Sequence, residues 1–382
     1  MISAEALVER RADAEKRADV QTLDPAFRQY TFLAPGFAKW WGSDARALAQ
    51  AFRRLGHTVL DIDEEDYVPW RWQTATSKVL RRLFSRVWIE EYNRAVLRQA
   101  DSAAYDFVLV FKGNLLKPET IQTLRQTGKT VFNFYPDLSF ADHGPNIPAT
   151  LHLYDCVFTT KSYHGGREIE RYGISRLEHV QHGFDREVHR PVTVSAEMLA
   201  CYGCDVSFVG CWSPRKERQI LYLLRHSERV SVRVFGLGWK YSSNEFKDRM
   251  GSNLKPGVFG DELAIAYCAS KISLGLLSCG VSDPTTCDQT TARTFQIPAT
   301  KSLMLHEDTP EVRSFFKEND ELLLFSSDDD LVAKVNAALS DDAMRAAVSG
   351  RGYERCLQEP YDYSNAAKSI LQNFEQMSAD KK

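Results

Sequence analysis

Short, almost wholly apolar runs recur along this chain and alternate with longer stretches in which apolar residues return every three or four positions. The first kind reads as strands buried on both faces, the second as amphipathic helices packed on them. The run at 30–33 enters the turn Ala34-Pro35-Gly36-Phe37, Ser43 offers an N-cap to a helix that Gly56 stops, and residues 57–63 form the next strand. Strand, glycine turn, helix, strand is the opening of a Rossmann-like unit, whose ligands meet the loops at the carboxyl ends of strands. The rhythm continues with a helix over 76–99, a strand over 107–113, a helix after Pro118, strands over 130–137 and 155–160, and a further helix leading to 178–185.

Residues 186–203 lack periodicity and read as a linker. The alternation then restarts, with a strand over 204–210, a helix from Pro214, a strand over 230–236 and a helix over 260–270. Residues 292–334 interleave helix, strand, helix and strand around one polar turn, and a last helix is expected over 363–377. The pattern divides the chain into a charge-rich helical leader (1–24), an αβ domain (25–185), the linker, a second αβ domain (204–360) and a C-terminal helix (361–382). Two domains suit 382 residues, a length beyond which one core stops growing.

A net charge of -3 gives no global attraction to nucleic acid, which is not expected as a partner. The N-terminus lacks the apolar core of a secretory signal and no long apolar span occurs, so a cytoplasmic protein is expected. In that setting the eight cysteines read as reduced thiols. Cys201 and Cys204 have half the spacing of a zinc ribbon, but Cys279 and Cys287 stand eight apart and supply no second close pair, so no metal site is expected.

Several segments could carry chemistry. In residues 209–218 a strand ends at Gly210, Pro214 suits a first helical turn, and Arg215 and Lys216 stand at its mouth, a combination suited to a diphosphate. Its alternative is a solvated helix start. Tyr135, Asp137, Asp142 and His143 cluster after a strand, where Asp137 is a candidate to orient or deprotonate a hydroxyl, or else shapes the loop. Gly36 and Phe37 could let backbone N–H groups approach a ligand. Asp61-Ile62-Asp63 has the D-x-D spacing of metal-binding transferases but falls in an acidic loop, and Gly236-Leu237-Gly238 has too few glycines for a dinucleotide fingerprint. The helix over 78–98 mixes an apolar side with five arginines; core packing is expected, with peripheral contact with an anionic membrane or glycan as the alternative.

Arg293, Phe295, Ile297, Pro298 and Ala299, followed by the strand that ends near Glu307, resemble the R-x-F-E-I-P-A segment of the spore-maturation-protein (CgeB-like) glycosyltransferases. Gln296 stands where that family has Glu, and the resemblance covers about residues 105–375. It implies the GT-B architecture: two Rossmann-like α/β domains facing each other across a cleft, with the last helix crossing back to the first domain. It further implies transfer of a hexosyl group from a UDP- or GDP-sugar to a hydroxyl, with retention, without a metal and with no cofactor beyond that co-substrate.

Carried over by residue, the resemblance puts Arg215 and Lys216 on the pyrophosphate, with Arg293 as a further phosphate ligand. Asp288 and Gln296, eight apart, match the ends of the E-x7-E motif and would take the donor sugar and the ribose. Thr290 and Thr291 become cap or phosphate contacts, Glu307 a substitute acid at the nucleotide, and Gly36 a close-approach glycine for the donor. Asp137 matches the family's W-x-x-D aspartate beside the acceptor, and His182 lies in the segment before the linker. Glycan, lipid-linked, protein and small-molecule acceptors all remain open. So do a non-catalytic sugar-nucleotide or glycan-binding protein of the same fold and a nucleotide-sugar epimerase.

Overall fold

The computed structural model describes residues 28–68, 75–227, 229–280 and 286–380, and the leader expected over 1–24 lies outside them. The chain forms two compact units, one of residues 182–362 and one in which residues up to 181 are joined by those after 362.

The N-terminal unit holds six parallel strands in the order β2-β1-β3-β4-β5-β6. They are β1 Thr31–Pro35, β2 Thr58–Ile62, β3 Phe107–Phe111, β4 Thr130–Tyr135, β5 Cys156–Thr159 and β6 Leu177–His179. Every residue of β3 and β4 is buried, which explains why these strands read as unbroken apolar runs rather than alternating ones. Of the polar residues in β4, the central Asn133 uses its amide to donate to the Lys112 carbonyl at 3.0 Å.

One face of this sheet is covered by the helix Asp44–Arg54, whose N-cap Ser43 accepts from the Arg46 amide, and by the C-terminal helix Ser364–Asp380. The Phe374 ring packs 4.6 Å from Phe107 and 5.2 Å from Tyr30, and the Tyr30 hydroxyl donates to Glu375 at 3.0 Å. On the other face the helix Ala75–Ser102 buries Tyr92 and Val96 in its second half. Its Asn93 fixes it to the following segment, donating to the Leu115 carbonyl at 2.9 Å and accepting from the Thr120 hydroxyl at 2.6 Å. The first half departs from the expected core packing, because Leu83, Phe84 and Val87 lie exposed.

The second unit repeats the plan with β7 Cys204–Val209, β8 Val232–Phe235, β9 Leu254–Lys255, β10 Ser270–Gly275, β11 Met304–Glu307 and β12 Leu323–Phe325. All are parallel, in the order β12-β11-β10-β7-β8-β9. Counted within the unit, this is the 3-2-1-4-5-6 arrangement of a dinucleotide-binding fold. Residues 186–203 differ from a plain linker: Ser195 caps a helix, Ala196–Tyr202, that sinks Met198 and Tyr202 into the core of this unit. Two buried residues in seven are too few to register as periodicity. A further helix, Asp342–Gln358, seats Gly352 against the Glu321 carbonyl, where a Cβ would approach to 2.3 Å.

Phe374→Ala removes a ring that bridges the last helix and the first sheet, and should lower the stability of the N-terminal unit by about 3 kcal/mol. Chemical denaturation checks this, and a loss below about 1 kcal/mol contradicts the packing described.

Candidate functional site

In open parallel sheets, ligands bind beyond the carboxyl ends of strands where the strand order reverses. In the second unit that point lies between β7 and β10, the first and fourth strands of the unit. The chain leaving β7 passes Gly210, a loop and Ser213, whose hydroxyl accepts from the Lys216 amide at 3.4 Å, and then enters the helix Pro214–His226. The chain leaving β10 runs through Leu276, Leu277 and Ser278.

Arg215 forks onto Glu307 at the end of β11, with contacts of 2.8 and 2.5 Å, and the same carboxylate accepts from the Leu277 amide at 2.6 Å. One ion pair therefore links the loop after β7, the end of β10 and the end of β11. Glu307 is buried while the Arg215 side chain remains about one third exposed, at 34%. A cavity of about 320 Å³ opens beside the pair, lined also by Arg218, Phe325, Ser327 and Asp328. Lys216 points inward, donating to the Ser278 hydroxyl at 2.6 Å and to the Cys211 carbonyl at 3.3 Å. Burial pushes this ammonium down to about 7, Arg293 adds to the effect, and Asp288 and Glu307 partly oppose it. A buried, half-titrated lysine beside an arginine favours an incoming anion.

Arg293 lies over Phe208 and donates to the Leu276 carbonyl at 2.9 Å, so its guanidinium ties together the ends of the two central strands. Gly210 leaves room for this, because a Cβ there would stand 2.8 Å from the Phe208 ring and 2.9 Å from the guanidinium. Thr291 is the N-cap of the helix Ala292–Ala299; its amide donates to the Thr294 hydroxyl at 3.0 Å, while its own buried hydroxyl has no partner among the described residues. Thr294 in turn lies 2.9 Å from His306 Nε2, and His306 Nδ1 lies 2.6 Å from the Glu307 carbonyl. A neutral ring fits this chain, with Nδ1–H donating and Nε2 accepting, and burial pushes His306 down to about 4. Gly275 makes room for that ring.

Asp288, Thr290 and Gln296 are all buried around this helix start, and the Asp288 amide donates to the Ser278 carbonyl at 2.8 Å. The structure thus gathers Arg215, Lys216, Asp288, Arg293 and Glu307 about one end of one sheet, with Thr290 and Thr291 at the adjoining helix start and Gln296 buried one turn further into that helix. Ser278, Thr294 and His306 belong there too. They carry no motif of their own, and only the strand order brings them in. The cysteines correct one expectation: Cys279 and Cys287, which pair as an antiparallel bridge next to the Asp288–Ser278 hydrogen bond, form a disulfide, and the other six are free.

The N-terminal unit has its own reversal point, between β1 and β3. Gly36 occupies it with φ 81°, and a Cβ would lie 2.4 Å from the Phe111 carbonyl oxygen. The expected free amides are engaged, since Gly36 donates to the Ile62 carbonyl and Phe37 to that of Ala34. What Gly36 contributes is close approach of two segments, the turn after β1 and the end of β3. Across from it, Lys112 adopts a left-handed φ of 58° and pairs with Asp137 at 2.8 Å. His143 Nδ1 lies 3.6 Å from Asp137 and 3.0 Å from the Tyr135 hydroxyl, which donates to the Ser139 carbonyl. Asp61 pairs with Arg53, and Asp63 accepts from the Lys39 and Glu65 amides, so both carboxylates of the D-x-D serve the local fold. His182 is buried at the start of the second unit.

Residues 215–372 match the family described as Glycosyl transferase-like. No curated protein matches the chain significantly. Among solved structures, it is similar to a sucrose-phosphate synthase from Thermosynechococcus elongatus (14% identity, TM-score 0.60, covering 92% of this chain and all of that one). It is also similar to the catalytic domain of starch synthase IV from Arabidopsis thaliana, solved with ADP and acarbose (10% identity, TM-score 0.61, 91% and 99%). A third is HepE from Anabaena in complex with UDP-glucose (11% identity, TM-score 0.59, 91% and 100%). The fold is GT-B, two Rossmann-like domains of six parallel strands each.

Arg215→Ala leaves the buried Glu307 without its cation and should lower the melting temperature of the second unit by several degrees, whereas Arg215→Ala combined with Glu307→Gln should recover most of the loss. Equal melting of the single and double variants contradicts the pairing. His306 titrates near 6.5 when unfolded and near 4 when folded, so the unfolded chain binds more protons between those values. Its contribution is full above pH 6.5 and falls by up to about 1.4 kcal/mol per unit as pH drops toward 4. Melting curves across this range should be flatter for His306→Gln than for the unaltered protein; parallel profiles would remove the assignment.

Proposed function

We propose that this protein is a glycosyltransferase that binds a nucleoside-diphosphate sugar in its second unit and passes the sugar to a hydroxyl. The observation that carries the reading is the pair Arg215 and Lys216 at a helix start on the β7/β10 reversal point of a GT-B fold. Diphosphate oxygens there meet a guanidinium, an ammonium and helix N-terminal amides, which together stabilise the charge that develops on the leaving group. That set serves a metal-independent departure of the nucleotide, and retention at the anomeric carbon is the outcome the E-x7-E likeness of Asp288 and Gln296 favours.

Asp288 then faces the sugar, Thr290 and Thr291 the phosphates, and Gln296 the ribose diol. Arg293 and Glu307 hold this arrangement in place. A neutral glutamine makes a weaker bond to a diol than a carboxylate does, so ribose binding rests more on the phosphate end. The N-terminal unit takes the acceptor, with Asp137 at the acceptor hydroxyl. As an ion pair, Lys112 and Asp137 would orient that hydroxyl, and the carboxylate accepts a proton once Lys112 moves off. The resemblance of the segment from Arg293 to Ala299 to the CgeB-like group supports a donor of the same kind, a hexosyl group on UDP or GDP. Gln296 also favours a second reading, a sugar-nucleotide binding protein without turnover.

Calorimetric titration with UDP, GDP, ADP and dTDP should find one nucleotide bound at micromolar level. Relative to Glu307→Gln alone, the double variant Arg215→Ala/Glu307→Gln should lose at least about tenfold in affinity, the worth of one charge-assisted contact. Because Lys216 loses its proton above about pH 7, the affinity should fall as pH rises from 7 to 9, by at most about tenfold per unit, and Lys216→Arg should flatten the profile. No binding of any nucleotide contradicts the donor site. Binding without turnover of any sugar conjugate selects the second reading.

A further inference from the structure

The helix Ala75–Ser102 changes character along its length. Its second half is anchored in the core through Tyr92, Asn93 and Val96, and its arginines there are neutralised, Arg94 by Glu90 and Arg98 by Glu91. Its first half exposes three large apolar side chains within five residues: Leu83 at 69%, Phe84 at 44% and Val87 at 62%. Residues four apart on a helix lie in one row, so Leu83 and Val87 form a row, Phe84 and Trp88 form the next, with rings 6.0 Å apart, and Arg82 and Arg86 flank them. Both arginines are exposed, and neither has an ion pair among the described residues. Over residues 67–89 the sequence carries five basic residues and no acid, in a chain whose net charge is -3.

We propose that this ridge docks on the surface of an anionic lipid bilayer, with Leu83, Phe84 and Val87 entering the headgroup boundary and Arg82 and Arg86 meeting lipid phosphates. An apolar ridge left in water is unfavourable unless something covers it, and the surrounding charge decides what. A second copy docking antiparallel, about a two-fold axis perpendicular to the helix, would set its arginine row beside its partner's, like against like, and in no arrangement would the same stretch of a second copy bring the acidic groups this stretch lacks. Anionic headgroups over acyl chains supply the opposite charge and the apolar layer together, in the order the helix presents them. No helix among the described residues is long and apolar enough to cross a membrane, so the contact is peripheral.

The test is flotation of the full chain with phosphatidylcholine vesicles, with and without phosphatidylglycerol. The protein should float only with the anionic vesicles and be released by about 0.5 M salt, where screening reaches a few ångströms. Arg82→Gln and Arg86→Gln should each weaken partitioning about five-fold, the worth of one basic residue at such a surface. Leu83→Glu/Val87→Glu should abolish it, and Leu357→Glu, which alters an exposed leucine elsewhere, should change nothing. These exposed substitutions leave the melting curve near that of the parent, which separates lost docking from lost folding. Failure to float with anionic vesicles, or flotation untouched by the variants, overturns the proposal. So does a concentration-dependent dimer that Leu83→Glu/Val87→Glu dissolves, which would assign the ridge to a second copy. None of these readouts depends on nucleotide binding.

Discussion

The fork between Arg215 and Glu307 is the contact on which the second unit's site depends. A carboxylate buried at the end of a central parallel strand is expensive to desolvate unless it is paired and hydrogen-bonded, and Glu307 meets that demand with a guanidinium and the Leu277 amide. In doing so it draws the loop after β7 against the end of β10, where the strand order reverses. The same closure leaves Lys216 under the loop, buried enough that its proton is only loosely held. Cation, loosely charged ammonium and helix start are thus products of one packing decision, the arrangement on which the proposed diphosphate site rests.

A second, quieter network sets the position of the helix Ala292–Ala299. The relay from the Thr291 amide through Thr294 and His306 to the Glu307 carbonyl consists only of neutral hydrogen bonds, inside a core that keeps the imidazole uncharged. It fixes the start of that helix relative to the same β11 end that carries Glu307. The disulfide between Cys279 and Cys287 joins the two sides of the neighbouring loop, one residue from Ser278 and one from Asp288. Ion pair, relay and cross-link all converge on positions that face one strand end, a concentration of constraint typical of preorganised sites.

Much of this was legible in the sequence, and what was not has a physical reason. Strands buried on both faces announce themselves as apolar runs, so β3, β4, β7 and β11 were readable, as was the helix start at Ser213-Pro214 with its two cations. Strand order was not, because neighbours in a parallel sheet are set by crossovers and not by local composition. Partners 92 residues apart, such as Arg215 and Glu307, follow from that order alone. Lys112 was hidden because a left-handed lysine has no sequence signature of the kind glycine gives. The helix Ala196–Tyr202 buries too few residues to show a period, and the exposed face around Leu83 carries the same period a buried one would. The disulfide was missed because reduced thiols were inferred from the expected compartment, whereas the pairing arises from two segments brought side by side beyond β10.

The most direct measurement is a crystal structure of the protein with the nucleoside diphosphate it binds. If Arg215 and Lys216 seat the anion, the diphosphate oxygens will lie about 3 Å from the guanidinium and the ammonium, with Gln296 at the ribose. A nucleotide found elsewhere, with Arg215 still closed on Glu307 and Lys216 still on Ser278, would contradict the donor site as described.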